Sequence, residues 1–411
     1  MNSSLSQTAI VEEQLLPPET KTAQGSLWAA TCLISGTCIG GGMLAMPVQT
    51  AEIGFGLSLL GLALCWAFMA FTGLCLVEAT LWIKNQTHFT SLSRLLAGHW
   101  VKMLAIVVYL FMNYASLVAY TAGGAALIQA WTGISYEAGC AIFTLAFGSV
   151  VYFGAQFIGK ANSLFMCALG LCYFGLIALG LGHIKGENLS WRSHWIESIG
   201  SFSMILATFS YQMVVPSVCS FMNYNAAKLK KAILLGTTIP FVIYSLWIFV
   251  IHGAVSLEGE NGLREAVIHG HSATTPLRNQ LQSWLITGIA DGFAFLAVAT
   301  SYLGLSMALF HFLSDCFNDV KVYLSRNRTI FLTLVPALVL AMFFPRALLQ
   351  FLDLSGGYGD TILSGLIPVA LVWIGRYHKK LQSDYKAPGG KLTLATVGCF
   401  FLWILVTTVM N

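Results

Sequence analysis

A cluster of glycines in the first apolar stretch of the chain leaves backbone groups, rather than side chains, in a position to do chemistry. The stretch GTCIGGGMLAMP contains Gly36, Gly40, Gly41 and Gly42 within seven positions and ends at Pro47. Each glycine costs about 1 kcal/mol relative to alanine in a helix interior, and lipid offers no partner to the N–H and C=O groups of a broken helix. The stretch therefore predicts an interrupted membrane helix, which in membrane proteins commonly forms a binding site.

The direction of the two half-helices predicts which chemical groups this interruption binds. After the break, the free amides near Gly41, Gly42 and Met43 carry the positive end of a helix dipole, which suits a carboxylate. Before the break, the carbonyl groups near Gly36 and Thr37 suit an ammonium group. An amino acid presents both groups, so the pattern favours a zwitterionic solute over a sugar or a simple ion. The competing interpretation is a GxxxG surface that only admits a neighbouring helix.

A second interruption lies in a later apolar stretch. In ATFSYQMVVPSV, Ser210, Tyr211 and Gln212 come just before Pro216. The carbonyl groups near Phe209 and Ser210 are predicted to join those of the first break around the ammonium group. An amide inside an interrupted helix is costly to bury without partners, which makes Gln212 a stronger candidate for substrate contact than the aromatic residues around it.

The composition identifies the bilayer as the surroundings of this chain. Hydrophobic residues make up 57% of the 411 residues and charged residues only 9%, and a soluble protein could not bury so much apolar surface. The first 26 residues lack the basic start and apolar core of a cleaved signal peptide. The ten cysteines form no CxxC pair or extracellular cluster, so no disulfide, metal site or cofactor is predicted.

Eleven apolar stretches are long enough to cross about 30 Å of hydrocarbon as helices. They are residues 27–48, 54–83, 101–130, 138–158, 161–183, 198–222, 231–257, 284–312, 329–345, 347–375 and 393–410. The sequence therefore predicts an all-α integral membrane protein with eleven transmembrane helices, spans 1 to 11. The longest connections, around 184–197 and 258–283, are too short for a soluble domain.

The basic residues predict how the spans are oriented. With the tail of residues 1–26 in the cytoplasm, sixteen lysines and arginines fall on the inner side and five on the outer side. Cytoplasmic loops carry this excess in membrane proteins. The net charge of +4 therefore reflects topology rather than a nucleic acid partner, and an odd number of spans leaves the C-terminus outside.

The two interruptions also predict an internal repeat. Counting five spans from each gives one set over residues 27–183 and another over 198–375. Because five is odd, the two sets have opposite orientations in the membrane, which is the layout of an inverted repeat with binding sites near the midplane. Residues 393–410 form an additional, eleventh helix.

Four motifs occur in order along the chain: GTCIGGGMLAMPVQTAEIGF in spans 1 and 2, TFSYQMVVPSV in span 6, FAFLAVATSYLGLSMALFHFLSD in span 8, and FLDLSGGYGDTILSGLIPV in span 10. In these motifs the chain resembles the hydroxy and aromatic amino acid permeases of bacteria, which belong to the amino acid, polyamine and organocation transporters. The resemblance implies the five-plus-five fold of the leucine transporter, with helices 1 and 6 discontinuous. It also implies proton-driven uptake of an aromatic amino acid across the inner membrane, with tyrosine favoured and tryptophan or a broad aromatic range as the alternative.

The resemblance further implies that the substrate side chain lies between spans 3, 6, 8 and 10. The candidates are Asn113, Tyr114 and Tyr120 in span 3, Phe209, Tyr211 and Gln212 in span 6, and Phe293 and Tyr302 in span 8. Aromatic walls with one polar tip suit a phenol or an indole. Because 13% of all residues are aromatic, ordinary packing is the competing interpretation for each ring.

Ionisable side chains inside the spans are candidates for ion coupling, because each costs about 2.5–3.5 kcal/mol to insert. They are Glu78 in span 2, Asp291 and His311 in span 8, and Asp353 and Asp360 in span 10. Burial favours the neutral form of a carboxylate, which allows it to carry a proton. Glu78 equally suits an ion pair with Lys84. Span 5 has no lysine beyond its edge at Lys160, so the proton carrier is not assigned.

Sodium coupling is the nearest competing mechanism. Thr300 and Ser301 in span 8 would join carbonyl groups of span 1 around a small cation, although hydroxyl groups in membrane helices more often bond their own backbone. Other classes fit less well: a channel filter needs symmetric repeats, and no enzyme motif lies in the spans. A non-transporting sensor would need the same pocket. A metal at His269 and His271 is disfavoured, because two loop histidines are usually just solvated.

Overall fold

The structure is a computed structural model that describes residues 25–84, 88–153, 155–189, 200–319 and 321–410, without the side chains of 155–162 and 319. All regular elements of these residues are helices. Most of the predicted tail, residues 1–24, lies outside the described residues. Span 1 begins directly after Ser26, whose Oγ accepts the Ala29 N–H at 3.0 Å and so caps the helix.

The eleven predicted spans are confirmed when the two bent halves of span 1 are counted as one. Their bounds, in order from span 1 to span 11, are Leu27–Cys38 with Gly42–Gln49, Gly54–Ile83, His99–Thr132, Tyr136–Phe153, Ala155–Leu181, Ser201–Thr208 with Val215–Phe221, Ala226–Ala254, Trp284–Asp319, Arg326–Phe343, Ala347–His378, and Lys391–Met410. Both predicted interruptions are present, in spans 1 and 6.

The boundary between spans 4 and 5 differs from the prediction. Span 4 ends at Phe153 and span 5 begins at Ala155, whereas the sequence reading continues span 4 to residue 158. Lys160, expected at the edge of span 5, therefore falls within that helix. The reason is compositional: the connection carries no polar or proline residue that would mark it against the apolar residues on either side.

Three short α-helices outside the spans were not predicted, nor was the 3-10 helix Gly186–Leu189 after span 5. The three α-helices are Phe89–Ala97 between spans 2 and 3, and Leu263–His269 and Thr274–Leu281 between spans 7 and 8. Each has nine residues or fewer, too short to register as an apolar membrane span. The first is amphipathic: Leu92 and Leu96 are buried while Arg94 is exposed.

Burial separates a central group of helices from a peripheral one. The second half of span 1 is buried at every residue from Gly42 to Val48. Spans 5 and 11, in contrast, expose large apolar side chains such as Leu171 and Leu392, which are 76% and 82% exposed. Because large exposed apolar surfaces of membrane helices face lipid, these two spans form the periphery and span 1 lies in the core.

Span 10 is wound unusually. It is π-helical over Ser355–Leu366 and Ile374–His378, with the first stretch covering the glycine-rich SGGYG sequence. Gly356 lies there against the backbone of span 6, where an added Cβ would overlap the Ser203 carbonyl oxygen. π-Helical segments are rare and are frequently found at functional sites, and this one lies against span 6 close to its break.

Candidate functional site

The break in span 1 begins later than the glycine pattern indicates. Gly36 and Thr37 belong to the first half-helix, Leu27–Cys38, and lie on its exposed face. The Thr37 hydroxyl donates to the Leu33 carbonyl at 2.7 Å within the same helix, and a Cβ on Gly36 would meet nothing within 4 Å. Residues 39–41 are the non-helical ones, and the two halves are bent by 54°. Of Gly36 and Thr37, only the backbone carbonyl groups therefore remain candidates for substrate binding.

The glycines at 40–42 each touch a different span. An added Cβ at the first two positions would overlap the Ser301 Oγ and the Tyr120 ring, respectively. At the third position it would lie 3.2 Å from the Thr208 Cγ2, which is tight. Glycine is therefore required by close approach of spans 3, 6 and 8 to the broken backbone, and a GxxxG contact between Gly36 and Gly40 does not account for it.

The amides of the break are only partly used. The Gly41 N–H donates to the Ser301 Oγ at 2.8 Å. The N–H groups of Gly40 and Gly42 make no hydrogen bond with any residue that the structure describes. Because free amides at a helix start attract anions, this end of the second half-helix keeps its predicted capacity to hold a carboxylate.

Span 7 holds two carbonyl groups of span 1, one of which proline leaves without a donor. Pro47 has no N–H, so the Met43 carbonyl four residues earlier lacks its helical partner. The Trp247 Nε1–H donates to that oxygen at 2.8 Å. The His252 Nε2 lies 2.8 Å from the Pro47 carbonyl. Met43 is itself buried, 1% exposed, so its side chain packs in the core while its carbonyl is held by span 7.

The first halves of spans 1 and 6 end at one hydroxyl group. Cys38 is the last residue of the first half of span 1, and Thr208 is the last of the first half of span 6. The Tyr244 hydroxyl lies 2.7 Å from the Cys38 carbonyl oxygen and 3.1 Å from the Thr208 carbonyl oxygen. The two breaks are thus brought together, as the repeat prediction requires, and a residue of span 7 joins them.

The break in span 6 is fastened by side chains. The Gln212 Nε2 donates to the Met69 carbonyl and to the Thr72 Oγ1, both at 3.2 Å, and its Oε1 accepts the Tyr211 N–H at 3.0 Å. The Tyr211 hydroxyl also donates to the Met69 carbonyl, at 3.0 Å. Both side chains therefore point into span 2 with their polar groups satisfied. The structure does not bring Gln212, the strongest sequence candidate, to the glycine break.

Two predicted aromatic candidates turn away from the breaks. The Tyr114 hydroxyl donates to the Leu332 carbonyl in span 9 at 2.6 Å. The Tyr302 ring packs against Phe143 of span 4, with ring centroids 5.1 Å apart. Each ring contacts a neighbouring span, so ordinary packing accounts for both positions.

Other predicted residues lie nearer the breaks. Phe209 is fully buried, with its ring 5.5 Å from that of Tyr244. Phe293 packs 5.1 Å from Trp247, behind Met43. Asn113 donates from Nδ2 to the backbone of its own helix, and its buried Oδ1 has no hydrogen-bond partner among the described residues. Unlike Gln212, Asn113 thus keeps a buried polar atom without a partner among the described residues.

The sequence profile of the tryptophan/tyrosine permease family matches residues 23–409 of the chain. The chain belongs to this family. Members are transport proteins, so the permease is a transporter rather than an enzyme. Tyrosine-specific transport system 1 of Haemophilus influenzae is 30% identical, over 92% of this chain and 95% of the relative. Glutamine transporter 2 of Aliivibrio fischeri is 28% identical, over 93% and 99%.

A solved structure confirms the fold of the permease. The crystal structure of MhsT in complex with L-phenylalanine superposes with a TM-score of 0.63, covering 95% of this chain and 99% of MhsT at 16% identity. MhsT has the leucine-transporter fold. The permease is therefore an all-α, multi-pass membrane protein of the five-plus-five type with discontinuous helices 1 and 6.

Span 7 holds the residues that sequence reasoning missed in the permease. Tyr244, Trp247 and His252 are all buried and all contact carbonyl groups of spans 1 or 6. His252 is also an ionisable residue inside a span. The one available signal was Pro47, because a proline inside a helix always leaves a carbonyl that needs an outside donor.

Glu78 is part of a buried ion pair. Its carboxylate accepts the Arg376 Nε–H at 2.8 Å, a second Arg376 N–H, and the Ala387 backbone N–H at 2.6 Å. Lys84, the predicted partner, pairs with Asp384 at 3.3 Å instead. Because both carboxylate oxygens are occupied by a guanidinium and a backbone amide, the structural interpretation of Glu78 is favoured over a coupling role.

Asp291 is likewise paired. Its Oδ1 accepts an Arg278 N–H at 2.7 Å, and its Oδ2 accepts the Trp131 indole N–H at 3.2 Å. Arg278 comes from the short helix Thr274–Leu281, so the contact fastens the connection between spans 7 and 8 to span 8. This contact gives Asp291 a structural role.

Asp353 and Asp360 differ from these two carboxylates. Asp360 is 1% exposed and accepts the Ser364 hydroxyl at 2.9 Å, and Ser210 of span 6 lies close to it. Asp353 accepts the Ser203 hydroxyl. Within the described part of the chain, no lysine, arginine or histidine pairs with either carboxylate. Asp360, beside Ser210, is the buried carboxylate that adjoins a break.

The sodium candidates already have partners. The Thr300 hydroxyl donates to the Leu296 carbonyl at 2.8 Å, one turn earlier in its own helix. The Ser301 Oγ accepts the Gly41 N–H. Thr300 therefore shows the self-bonding that is common for hydroxyl groups in membrane helices, and Ser301 serves to fasten the span 1 break to span 8.

The remaining histidine candidates lie away from the breaks. His311 lines a cavity of about 590 Å³ between spans 4, 8 and 9, which contains none of the predicted substrate residues. His269 and His271 stack at 5.6 Å in the connection between spans 7 and 8, where burial lowers the pKa of His271. Glu265 lies 3.8 Å from His269, but within the described ranges no three His, Cys, Asp or Glu side chains are placed to hold a metal ion together.

Proposed function

We propose that this permease imports an aromatic amino acid, with tyrosine favoured, by proton symport and alternating access across the bacterial inner membrane. The single observation that carries the proposal is the span 1 break, where the buried amides of Gly40 and Gly42 are left without partners. The relative named for tyrosine and the phenylalanine complex of MhsT support the aromatic class. The partners are then the amino acid, the proton and the surrounding lipid.

The proposed orientation follows from the basic residues. Sixteen of 21 lysines and arginines fall on one side of the predicted spans, which places the N-terminus in the cytoplasm and the C-terminus outside. Residues 27–183 and 198–375 act as the two repeats that exchange access to the site, and residues 393–410 form a peripheral helix. A reporter fused to the C-terminus tests this orientation, because a reporter active in the cytoplasm would contradict it.

The backbone of the substrate is held between helix ends. Its carboxylate meets the amides of Gly40 and Gly42, at the positive end of the second half of span 1. Its ammonium group meets carbonyl oxygens at the negative ends, those of Thr37, Phe209 and Ser210, which accept no hydrogen bond from any described residue. This recognition is common to all amino acids, so it does not select the side chain.

The side chain is selected by rings and one amide around the breaks. Tyr120 covers Gly41, and Phe209 packs at the end of the first half of span 6. Asn113 lies two helical turns before Tyr120 on the same face of span 3, and its unpartnered Oδ1 would accept a phenol O–H or an indole N–H. Tryptophan therefore remains the alternative substrate, and the relative named for glutamine means that overall identity does not decide between side chains.

Asp360 is the proposed carrier of the coupled proton. It is buried, its carboxylate accepts the Ser364 hydroxyl, and Ser210 of the span 6 break lies close to it. A buried carboxylate without a cation favours the protonated form and loses its proton when water enters. Opening the site to either side of the membrane therefore changes its protonation, whereas Glu78 and Asp291 are each paired with an arginine.

Competition uptake tests the substrate class. The permease in proteoliposomes is given labelled tyrosine together with an excess of unlabelled tyrosine, tryptophan, phenylalanine, leucine or glutamine. We expect the aromatic amino acids to inhibit uptake and leucine and glutamine to leave it unchanged. Inhibition by glutamine alone would overturn the aromatic assignment, and flux that never saturates with tyrosine would favour a channel.

Ion gradients and Asp360→Asn test the coupling. We expect a proton gradient to drive accumulation, and Asp360→Asn to reduce that accumulation at least about tenfold while exchange of external for internal tyrosine continues, because exchange needs no net proton movement. Asp353→Asn, at a second hydroxyl-bonded carboxylate of the same span, is the matched control and is expected to keep accumulation. The proposal would be contradicted if a sodium gradient alone drove accumulation, or if Asp360→Asn accumulated tyrosine as well as wild type does.

A further inference from the structure

The junction of the two breaks brings together helix ends of the same sign. The first halves of spans 1 and 6 both end there, at Cys38 and Thr208. The last carbonyl groups of a helix lack internal donors and carry the negative end of its dipole. Two such ends repel each other in a buried setting, so their convergence requires a hydrogen-bond donor or a cation between them.

One phenol fills this requirement. The Tyr244 hydroxyl lies 2.7 Å and 3.1 Å from the Cys38 and Thr208 carbonyl oxygens, and the whole residue is buried. Its ring rests against Phe209, which holds the hydroxyl in place. The Thr208 hydroxyl does not compete, because it donates to the Ile205 carbonyl at 2.6 Å.

We propose that the Tyr244 hydroxyl takes the place of a bound sodium ion at this junction, so that the amino-acid site of the permease works without that ion. Carbonyl oxygens are ligands for hard cations, and the carboxyl ends of discontinuous half-helices can coordinate sodium in transporters. Here the hydroxyl hydrogen occupies the space between the two oxygens. The part of this inference that concerns transport rests on the proposed function, whereas the part that concerns cation binding does not.

A second observation agrees with this assignment. The other group of oxygens that sequence analysis offered to sodium is also filled by a protein donor, since the Ser301 Oγ accepts the Gly41 N–H at 2.8 Å. The Tyr244 hydroxyl lies between spans 1 and 6, and the Gly41 N–H lies between spans 1 and 8. At both positions, oxygen atoms that could bind sodium accept hydrogen bonds from O–H or N–H groups of the permease itself.

The test removes the hydroxyl oxygen and its hydrogen. Tyr244→Phe keeps the ring and leaves two carbonyl groups facing a space of about one oxygen atom. Tyr114→Phe is the matched control, because its hydroxyl donates to the Leu332 carbonyl at 2.6 Å away from both breaks. The first readout is binding of radioactive sodium to the purified full chain without any amino acid. We expect saturable binding to Tyr244→Phe and none to wild type or Tyr114→Phe.

The second readout is tyrosine uptake in sodium-containing and choline-containing buffer. We expect wild type and Tyr114→Phe to be equal in both buffers. Tyr244→Phe should lose about tenfold in choline, because two buried carbonyl groups lose their donor, and should recover several-fold in sodium. If neither wild type nor either variant transports any amino acid, the proposed function fails. The sodium-binding readout still decides the inference in that case.

Tyr244→Lys keeps the test decisive if Tyr244→Phe does not insert. A lysine ammonium is of similar reach and supplies both a positive charge and three donors, so this variant should insert and bind no sodium. Insertion of the lysine variant when the phenylalanine variant fails supports the need for a donor. The inference is overturned if Tyr244→Phe binds no sodium, if wild type binds it equally, or if both variants fail to insert.

Discussion

The two breaks of the permease are built from the same topology but held in opposite ways. In span 1 the contacts go to the backbone: Ser301 accepts the Gly41 N–H, and Trp247 donates to the Met43 carbonyl. In span 6 the break is held by its own side chains, chiefly Gln212, which reaches into span 2.

This difference separates two tasks. A site built from backbone needs glycine so that neighbours and ligand can approach, and it leaves amides free for a carboxylate. A break closed by its own side chains has its polar groups satisfied and is fixed in position. Span 1 thus leaves backbone amides unpaired at its break, whereas span 6 is anchored by its own side chains and suits the role of a fixed counterpart in the proposed site.

The largest effect is expected from Gly41→Val. The added side chain overlaps the Tyr120 ring, and displacement of a binding group by about 1 Å can cost about a hundredfold in rate. We expect tyrosine uptake to fall by that order while the protein remains inserted, measured in proteoliposomes with equal amounts of permease.

Gly36→Val is the control for that substitution. A Cβ at Gly36 meets nothing within 4 Å, although the residue belongs to the same glycine motif. Its uptake should stay within about twofold of wild type, since substitutions in open positions rarely perturb a structure. Equal loss in the two variants would mean that the motif acts through helix flexibility, and the assignment of the site to residues 40–42 would fail.

Gln212→Ala should reduce stability more than it alters recognition. It removes hydrogen bonds to Met69 and Thr72 and leaves the buried Tyr211 N–H without an acceptor. We expect a loss of about 2–4 kcal/mol, seen as a lower midpoint of thermal unfolding in detergent. Gln280→Ala, which removes a similar number of contacts in a half-exposed connection, should lower the midpoint less. A Gln212 variant with normal stability but no tyrosine binding would reverse the division between the breaks.

Tyr211→Phe should give the smallest effect. It removes one hydrogen bond, to the Met69 carbonyl at 3.0 Å, while Gln212 still donates to the same oxygen. We expect a loss of about 1 kcal/mol in stability and uptake close to that of wild type. A change in which aromatic amino acid competes best would place Tyr211 in the substrate pocket and contradict its role as an anchor.

The spans and both breaks could be predicted because their signals are local. An apolar stretch must match the hydrocarbon thickness, and glycine and proline disrupt a helix wherever they occur. Gln212 shows the limit of this reasoning. Burial of an amide demands partners, but whether they come from a substrate or from span 2 depends on a contact with residues about 140 positions away.

Span 7 shows the same limit for residues that the sequence did not single out. Tyr244 and Trp247 look in sequence like any aromatic residue of an apolar helix, because nothing in their neighbourhood reveals that they face broken backbone. Glu78 and Asp360 were also equivalent in sequence, as carboxylates inside spans. Only the position of Arg376, 298 residues from Glu78, separates a carboxylate that has an arginine partner from one that has none among the described residues.

The winding of span 10 links the span 6 break to the ion pair of Glu78. Its π-helical stretches, Ser355–Leu366 and Ile374–His378, contain Asp360 beside the span 6 break and Arg376 bound to Glu78. Each residue advances through a smaller angle in a π-helix than in an α-helix, because its hydrogen bonds span five residues rather than four. Rewinding even one turn would change the azimuth of Arg376 relative to Asp360. The positions of Asp360 and Arg376 around span 10 therefore both depend on how the residues between them are wound, so a single helix fixes the geometry of the break and of the ion pair together.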